Sequence, residues 1–447
     1  MKKFIALLLA VLMVVGLVAC GAKTEEAPKV EETPKAEAEA PKTEEKVEEA
    51  PAASGDKIPV HFIVAQYSDM TGPYYEGVIA AFEEANPDID VTMEVIGWSD
   101  ISTRVNTMVA GKQAPDIYAG GSASAFLEDE LVYQAKDVVS EELQKDFYAT
   151  FWNNNVNPDD GNIYQIPFVA SVRSLYCNKK IFDEVGLTET PKTWKEVEEY
   201  CQKITEFYNG EVYAWGIDAG TSEGQALVAY YGWNNGGGYV DADGNYILNS
   251  EANVAAYEWA KSLYDNGWTN KSPVTEVRDD LQKLVAGDKM AMLLTANFFP
   301  ALYPDCELLM GEVPYTDEVQ DKAISMAVQD ALIFFNSDAK AVEDTPEKLA
   351  AIQKFVDFMY SAEQYLPLCI QEGLLPATAS GIELLVEQDP AQAAYVSILE
   401  NAQFYARSKS NWSDCSGGLC DAAGKIFSNQ VSVQEALDEV QAICEEG

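Results

Sequence analysis

The sequence predicts an α/β protein of two domains, built from parallel sheet covered by helices. Runs with strand periodicity alternate with amphipathic helical runs from Ile58 onward, and this alternation is typical of such sheets. About 390 residues lie in this region, which is more than one hydrophobic core usually serves. Hydrophobic residues make up 47% of the chain, so two cores can be filled.

The first twenty residues have the organisation of an export signal, in which Lys2 and Lys3 precede an apolar stretch of about 16 residues and small residues lead to Cys20. As a helix this stretch would measure roughly 24 Å, which is short for a bilayer core of about 30 Å. The motif Leu-Val-Ala-Cys-Gly resembles the lipobox of bacterial lipoproteins. That resemblance implies that residues 1–20 are a lipoprotein signal peptide and that a lipidated Cys20 anchors the chain on the extracytoplasmic face of the bacterial cell membrane. An ordinary secretory signal with an incidental cysteine is the alternative.

Residues 21–57 form a predicted linker of Glu, Pro, Ala and Lys. The segment has no aromatic residue and too little apolar surface to offset the entropy of ordering, so we expect it to be disordered. A tether of this kind lets a receptor meet a membrane partner at high effective concentration. It therefore mildly favours a binding protein over an enzyme.

The folded region opens with a strand–helix–strand pattern. The apolar run Ile58–Ala65 predicts a strand, apolar spacing over 74–84 predicts a helix, and alternation over 89–95 predicts a second strand. A helix over 99–110 and a strand over 116–119 follow in the same way. Because ligands of such sheets bind beyond the carboxyl ends of the strands, we expect a site in the loops there.

Six short motifs follow one another over nearly the whole folded region. They are Phe82-Glu-Glu-Ala-Asn-Pro-Asp-Ile-Asp-Val, Ala114-Pro-Asp-Ile, Gly161-Asn-Ile-Tyr-Gln-Ile-Pro-Phe, Thr190-Pro-Lys-Thr-Trp, Leu284-Val-Ala-Gly-Asp-Lys-Met and Gly373-Leu-Leu-Pro-Ala. In this order they resemble the family 1 extracellular solute-binding proteins of ABC transporters, a maltose-binding-protein-like group with the type II periplasmic-binding-protein fold. The chain departs from the family at Cys177, where tyrosine is usual, and at Ala296-Asn-Phe-Phe, which replaces Gly-Pro-Trp in the expected pocket.

The resemblance implies two α/β lobes, each a sheet flanked by helices, with a ligand cleft between them and hinge crossings that let them close. The amino-terminal lobe would comprise 58–167 and about 331–373, and the carboxyl-terminal lobe 168–330 and about 374–447. It also implies a monomer without a cofactor or metal that hands its ligand to ABC transporter permease subunits.

Aromatic and polar side chains lie together in the loops after several strands and at the crossings. Sites for sugars combine rings that stack on C–H faces with groups that bond hydroxyls. Phe298 stands where the resembling family commonly has a stacking tryptophan. The candidate ligand-binding residues are Gln66, Tyr67, Asp69, Trp98, Ser122, Ser171, Arg173, Ser222, Asn297, Phe298, Gln329, Asp330 and Trp412.

Each candidate also has a structural interpretation. Trp98 and Trp412 fit a stacking platform or a lid on a core equally well. Arg173 can pair with an acidic neighbour, and Asp116 can cap a turn or bind ligand. The tryptophans that we predict to be structural are Trp194, Trp215, Trp233 and Trp268.

Composition excludes several classes of function. With 73 acidic and 30 basic residues and a net charge of -43, the chain lacks the basic surface that nucleic acids require. The single histidine, His61, has no motif around it, which argues against Ser-His-Asp or Cys-His catalysis and against histidine-rich zinc sites.

The cysteines give little sign of chemistry. If Cys20 carries lipid, seven of the eight remain and at least one is unpaired. Spacing suggests one disulfide, between Cys415 and Cys420. The cysteines predicted to be buried thiols are Cys177, Cys201 and Cys369.

Three functions remain open at this stage. A receptor for a sugar or oligosaccharide, part of an ABC importer and without enzymatic activity, is the one we expect. A polyamine receptor stays possible because of the acidic composition, whereas the pairs Tyr74-Tyr75 and Tyr230-Tyr231 diverge by about 100° on helices and do not favour iron. A secreted glycosidase would need two paired carboxylates, and no pair stands out.

Overall fold

The computed structural model describes residues 57–98, 100–157, 160–220, 223–319, 323–399, 401–406, 409 and 411–446. The predicted signal peptide, the lipidation site at Cys20, the linker up to residue 56 and the candidate Ser222 lie outside the described residues. Within the described part of the chain, no helix is long and apolar enough to cross a membrane.

Among the described residues, seven strands form one hydrogen-bonded path in the order β2-β1-β3-β8-β4-β6-β5, and two more, β7 and β9, pair with β4. The strands are β1 Ile58–Ala65, β2 Ile89–Ile96, β3 Ile117–Gly121, β4 Gln165–Asn178, β5 Tyr213–Trp215, β6 Met290–Ala296, β7 Leu308–Gly311, β8 Ala327–Phe334 and β9 Leu375–Pro376.

Helices follow most of these strands, as the alternating pattern predicts. The described α-helices are α1 Thr71–Ala85, α2 Ile101–Ala110, α3 Ser124–Leu127, α4 Ala135–Val138, α5 Glu141–Asp146, α6 Ala149–Asn154, α7 Lys179–Val185, α8 Trp194–Phe207, α9 Glu251–Asp265, α10 Arg278–Ala286, α11 Phe299–Leu302, α12 Pro346–Met359, α13 Ala362–Glu372, α14 Ala379–Gln388, α15 Ala393–Leu399, α16 Trp412–Phe427 and α17 Val433–Glu446. Between α8 and α9, a π-helical turn at Val228–Gly232 lies between two short 3-10 turns.

The long strand β4 connects the two lobes of the fold. Its first part, 165–172, pairs with β8, and its second part, 173–177, pairs with β6. Parallel pairing is found between β1 and β2, β1 and β3, and β5 and β6. The expectation of purely parallel sheet is corrected at the crossings, because β8 returns from the second lobe and runs antiparallel to both β3 and β4.

Two large hydrophobic cores accompany the two parts of the sheet. The first contains β1, β3 and β8 with α12 to α15, and its last member is Leu399. The second contains the end of β4, β6, α8, α9, α16 and α17, and it resumes at Tyr405 after the first core ends. Residues 374–399 therefore pack with the first core, because β9 pairs with β4 at Val169 and Ala170. We propose that the boundary to the second lobe lies between 399 and 405 and not near 374.

A disulfide joins α16 to α17. It pairs Cys415 with Cys444, whose Cα atoms lie 5.3 Å apart, so the predicted Cys415–Cys420 bond is wrong. Residues five apart on a helix point about 140° away from each other, so Cys420 cannot reach Cys415 within α16. Its sulfur instead lies 3.1 Å from Oε1 of Gln225.

The other cysteine predictions are confirmed. The thiols of Cys177, Cys201 and Cys369 are all buried. Burial raises the pKa of each of these three thiols above its usual range, which keeps them protonated. They act as small apolar core residues.

The start of α8 illustrates how local sequence sets an element. Thr193 accepts a hydrogen bond from the backbone N–H of Glu196, whose carboxylate accepts one from the Thr193 N–H, so the two form a capping box. The ring of Trp194 stacks on Trp259 with centroids 4.2 Å apart. Structural roles are thus confirmed for Trp194 and for the buried Trp215 and Trp233.

Candidate ligand-binding surface

Two aromatic rings lie side by side where β1 and β2 end. Tyr67 follows β1 and Trp98 follows β2, and their ring centroids are 5.5 Å apart in an edge-to-face arrangement. The Trp98 side chain is 45% exposed, which is unusual for so large an aromatic residue. A ring held at a strand end with an open face is available for stacking.

A glycine at the end of β3 makes room for this ring. A Cβ at Gly120 would lie 3.3 Å from the Trp98 ring and 2.7 Å from the Cβ of Ala65. The φ of Gly120 is also +120°, a conformation that side chains rarely adopt. The backbone at Gly120 therefore lies close to the Trp98 ring, and the chain reaches Ser122 two residues later.

The turn after β1 is fixed by side-chain hydrogen bonds. The Thr71 hydroxyl accepts from the backbone N–H groups of Tyr67 and Ser68, each at 3.0 Å. The Tyr67 hydroxyl donates to Asp330 on β8 at 2.9 Å, and burial followed by the Asp330 charge raises the pKa of Tyr67 well above its usual value. Tyr67 therefore stays neutral. Thr71 fixes its backbone, and Asp330 fixes its hydroxyl group.

The remaining candidates on this turn, Gln66 and Asp69, are exposed. Their side chains are accessible at the strand ends.

A cavity open to solvent lies next to the end of β3, with about 540 Å³ of space when the adjoining open solvent is included. Among the described residues that line it, none carries a carboxylate or a basic group. They are Ser122, Ala123, Ser124, Leu127, Asn154, Asn155, Val156, Asn157, Tyr164, Gln165 and Gln329. We call it the amide cavity.

One wall of the amide cavity is a fixed hydrogen-bond network. The Gln165 side chain accepts from the Ala123 N–H at 2.7 Å and donates to Asn155 at 2.7 Å. Asn155 in turn donates to the carbonyl of Phe151 at 2.8 Å. These amides hold the β3 loop against the end of α6.

The amide cavity and the Tyr67–Trp98 pair are linked through two short stretches of chain. Ser122 lies two residues beyond Gly120, a separation of at most about 7 Å. On the other side, Gln329 of the cavity precedes Asp330, which binds Tyr67. Of the sequence candidates, the structure thus brings together Tyr67, Trp98, Ser122, Gln329 and Asp330.

Arg173 has a different environment from these residues. Its buried guanidinium contacts Glu223 at 3.2 Å, the Tyr230 hydroxyl at 3.1 Å and the Ser171 hydroxyl at 3.0 Å. Burial alone would lower the pKa of Arg173, but the Glu223 carboxylate raises it above its usual value. The geometry favours the structural interpretation of Arg173 as an ion-pair partner. The Ser171 hydroxyl accepts a hydrogen bond from the same guanidinium and helps to hold it beside Glu223.

Glu223 is shared by two arginines. Arg278 at the start of α10 reaches the same carboxylate oxygen at 3.0 Å, and its backbone N–H donates to Asp218 at 2.7 Å. Burial would raise the pKa of Glu223, but Arg173 and Arg278 lower it below its usual value. A second cavity, of about 300 Å³, is lined by this cluster and by leucines of the second lobe.

Asn297 and Phe298 connect the two lobes. The Asn297 side chain accepts from the N–H of Val172 at 2.9 Å and donates to the carbonyl of Gly373 at 2.8 Å. The Phe298 ring lies 5.5 Å below the Arg278 guanidinium and packs against the first core. Both polar ends of Asn297 are therefore occupied by backbone, and one side of Phe298 is covered by a cation.

Two other sequence candidates have structural contacts. Trp412 opens α16 and packs on Tyr239 and Tyr405, with centroids 5.3 and 5.5 Å away. Asp116 precedes β3 at the opposite end of the strand from the ring pair, and Lys340 binds its carboxylate at 2.7 Å. These contacts favour the structural interpretation of Asp116 over ligand binding.

Several residues of these sites carry no signal in the sequence. Asn154 ends α6 and Tyr164 immediately precedes β4, and neither follows a strand of the sheet. Glu223 and Arg278 are 55 positions apart, so no local sequence pattern links them. Within the described residues, no group of three or more His, Cys, Asp or Glu side chains could hold a metal ion.

Comparison with known proteins gives a consistent result. The family model described as bacterial extracellular solute-binding protein matches residues 67–365. A binding protein of Brucella abortus is 27% identical over 358 residues, covering 79% of this chain and 84% of that protein. The sn-glycerol-3-phosphate-binding periplasmic protein UgpB of Salmonella typhimurium is 24% identical over 339 residues, covering 71% of this chain and 74% of that protein.

Among solved structures, maltose-bound MalE3 of T. maritima superposes with a TM-score of 0.73. It is 17% identical and covers 87% of this chain and 99% of that chain. The two-lobed α/β fold of this chain is therefore shared with that protein.

Proposed function

The chain belongs to the bacterial extracellular solute-binding proteins. On that premise we propose that it captures a neutral sugar or oligosaccharide at the Tyr67–Trp98 pair and the amide cavity. The captured ligand is then delivered unchanged to the permease of an ABC importer. The family is one of transport receptors and not of enzymes.

The exposed Trp98 ring and the nearby amide cavity, whose described lining carries no charged group, are the observation that supports a sugar. A pyranose offers a C–H face to an aromatic ring and hydroxyls to amides and serines. Tyr67 and Asp330 supply a ring edge and a carboxylate at the same place. A site of this composition matches sugar chemistry better than it matches a polyamine, which would need several carboxylates around it.

Lobe closure would complete the site. Arg278 and Phe298 belong to the second lobe and lie at its contact with the first. We propose that they, with the exposed Gln66 and Asp69, contact the ligand when the lobes close. Ser171, Arg173, Asn297 and Trp412 would act on the ligand only indirectly, through the contacts described above.

Anchoring is part of the proposal. A lipidated Cys20 and a tether over 21–57 would keep the receptor on the extracytoplasmic face of the cell membrane, near its permease. A monomer is sufficient for this role, because the proposed site is built within one chain.

A phosphorylated polyol is the second candidate ligand. The relative UgpB is described as binding sn-glycerol-3-phosphate, and Arg278 is a partly exposed cation at the lobe contact. Glu223 pairs with both guanidinium groups there, and Asp279 also pairs with that of Arg278, which is why we place this candidate second.

A thermal-shift screen of the purified protein tests the proposal. The panel contains neutral mono- and oligosaccharides, glycerol-3-phosphate and spermidine. We expect a rise in melting temperature with one class of neutral sugar, and mass spectrometry of the recovered sugar should show it unaltered. A rise with glycerol-3-phosphate or spermidine alone, or conversion of the sugar, would contradict the proposal.

A further inference from the structure

We propose that Tyr360 and Tyr365 are positioning residues of the binding surface. Their buried hydroxyls hold an irregular stretch of the crossing strand β4 and so keep Asp330 aimed at Tyr67. Neither tyrosine touches the ligand. The inference rests on the binding function proposed above, because it states what sets the shape of the proposed surface before a ligand arrives.

The irregular stretch of β4 lies opposite Asp330. The pairing of β4 with β8 runs through Pro167 and resumes at Ala170, so two residues of β4 lie opposite Asp330 alone. Such a two-against-one arrangement is a β-bulge, which bends a strand and redirects the side chains beside it. The residue opposite the bulge is thus the one whose carboxylate accepts from the Tyr67 hydroxyl.

Two tyrosines bond the carbonyl groups at this bulge. The hydroxyl of Tyr360, directly after α12, donates to the Pro167 carbonyl at 2.6 Å. The hydroxyl of Tyr365, in α13, donates to the Phe168 carbonyl and accepts from the Ala377 N–H at 2.7 Å. The Tyr365 hydroxyl therefore ties α13 both to β4 and to the segment after β9.

Both tyrosines lie within the first core, where their hydroxyls stay protonated. The exposed fraction is 7% for Tyr360 and 2% for Tyr365. Burial raises the pKa of each hydroxyl well above its usual value, so both remain hydrogen-bond donors. Loss of either hydroxyl would take a partner from a backbone carbonyl inside the protein, which favours a different local shape of the strand.

The helix α13 connects these bonds to the turn that carries Tyr67. Tyr365 lies near the start of α13, and Glu372 at its end accepts from the Ser68 hydroxyl at 2.9 Å. The Tyr74 hydroxyl of α1 also donates to a backbone carbonyl of α13. One helix therefore holds the crossing strand and the binding turn in a fixed arrangement.

A third buried tyrosine of the first core provides a matched comparison. The Tyr75 hydroxyl on α1 is buried and has no hydrogen-bond partner among the described residues. The Tyr75 ring packs edge-to-face on Phe62, with centroids 5.2 Å apart. Because no bond is lost, Tyr75→Phe should leave the arrangement unchanged. It is the control for removing a tyrosine hydroxyl that does hold β4.

Hydrogen–deuterium exchange of the full chain without ligand tests the inference. In Tyr365→Phe we expect the amides of Tyr67 and Ser68 to exchange about tenfold faster than in the native protein, while amides of α9 in the second lobe keep their native rates. Tyr360→Phe should act in the same direction, and it carries the test if Tyr365→Phe does not fold. Tyr75→Phe should match the native protein throughout.

Calorimetric titration with maltose, cellobiose and xylobiose links the positioning role to binding. For a probe that binds the native protein, we expect Tyr365→Phe to lower the affinity about five- to tenfold. Ile352→Val, which removes a methyl group from the first core without removing a hydrogen bond, should retain the native affinity. A role in stability alone would not separate these two variants.

The outcomes distinguish this inference from the proposed function. Exchange that rises equally throughout the chain in Tyr365→Phe, or does not rise at the Tyr67 turn, overturns the positioning role. Native affinity in Tyr365→Phe contradicts it as well. Faster exchange confined to the Tyr67 turn, without binding of any sugar probe, supports the positioning role and counts against the sugar function.

Discussion

Trp98 is the residue on which the proposed binding chemistry depends most. Its ring is exposed, it is held by Tyr67, and it lies over a glycine that leaves space for it. Natural chains bury or cover most large aromatics, so an open ring at a strand end beside a polar cavity indicates a binding role.

Replacing this ring tests that role. We expect Trp98→Ala to weaken binding of the sugar found by the screen about 5- to 30-fold, or about 1 to 2 kcal/mol, because the stacking face is lost. Calorimetry measures the change. The control is Phe207→Ala, an aromatic that is 53% exposed at the end of α8 in the second lobe. Equal affinities of the Trp98 variant and the native protein would remove the ring from the site.

Glu223 provides a pH-dependent test at the same scale. Its pKa is lowered in the folded state, so its contribution to stability is complete above its usual pKa of about 4.5 and is lost as the pH falls through the lowered value. Glu223→Gln leaves Arg173 buried without its counter-charge, so we expect a loss of about 3 to 5 kcal/mol at pH 7. That deficit should shrink when the pH falls below 4.5.

Urea unfolding from pH 7 to pH 3.5 measures this difference. Glu211→Gln, at an exposed carboxylate, is the matched control and should remain within about 0.5 kcal/mol of the native protein. A Glu223→Gln deficit that is the same at both ends of the pH range would show that the charge on Glu223 is not its cause.

At the scale of elements, the disulfide between α16 and α17 closes the second core at the end of the chain. The two cysteines are 29 positions apart, and the loop-entropy relation gives a stabilisation of roughly 3 to 4 kcal/mol. We therefore expect Cys444→Ser to lower the melting temperature by several degrees. Calorimetric melting under oxidising conditions is the measurement.

Cys420→Ser is the informative control for this prediction. Spacing suggested a bond between Cys415 and Cys420, whereas the structure has Cys415 bonded to Cys444. Only the Cys444 change should remove the effect of a reducing agent on the melting temperature. A loss of that effect in the Cys420 variant would restore the pairing suggested by spacing.

The elements near the amino end of the fold were predictable from periodicity. The strand predicted at 58–65 is β1, and the helix predicted over 74–84 is α1, which begins three residues earlier at Thr71. The difference arises because the Thr71 hydroxyl bonds the preceding turn, an interaction that spacing does not show. Hydrophobic patterns locate buried faces well but say little about caps.

The candidate site was only partly predictable, and the reason is physical. Residues that follow parallel strands, such as Tyr67, Trp98 and Ser122, meet at one sheet edge, so sequence position is enough to find them. Glu223 meets Arg173 and Arg278, which are 50 and 55 positions away, so no local pattern reveals the cluster. Asn297 and Arg173 had the right chemistry for a ligand, but their polar atoms are engaged with backbone or with Glu223.

At the scale of the whole molecule, the contact between the lobes passes through Gly373. Its φ is +65°, its carbonyl accepts from Asn297, and a Cβ there would lie 2.9 Å from the Cβ of Phe298. The preceding residue, Glu372, accepts from the Ser68 hydroxyl in the turn that carries Tyr67. The lobe contact and the proposed binding surface are thus joined by two adjacent residues.

Gly373→Ala tests that connection. Added bulk should displace Phe298 and change how the lobes meet, so we expect sugar affinity to fall about tenfold in addition to a loss of about 1 to 2 kcal/mol in stability. Gly267→Ala is the matched control, because its φ is +74° and no atom lies within 4 Å of the added Cβ. The control should lose stability alone. Equal affinities of the two variants would argue against coupling through Gly373.

A crystal structure of the protein with the sugar identified by the thermal-shift screen tests the central claim most directly. We predict density for the unaltered sugar between the lobes, with one ring stacked on Trp98 and hydroxyls bonded in the amide cavity near Ser122 and Asn154. Density for the sugar away from the Trp98 ring, for example in the second cavity beside Glu223, would contradict the account.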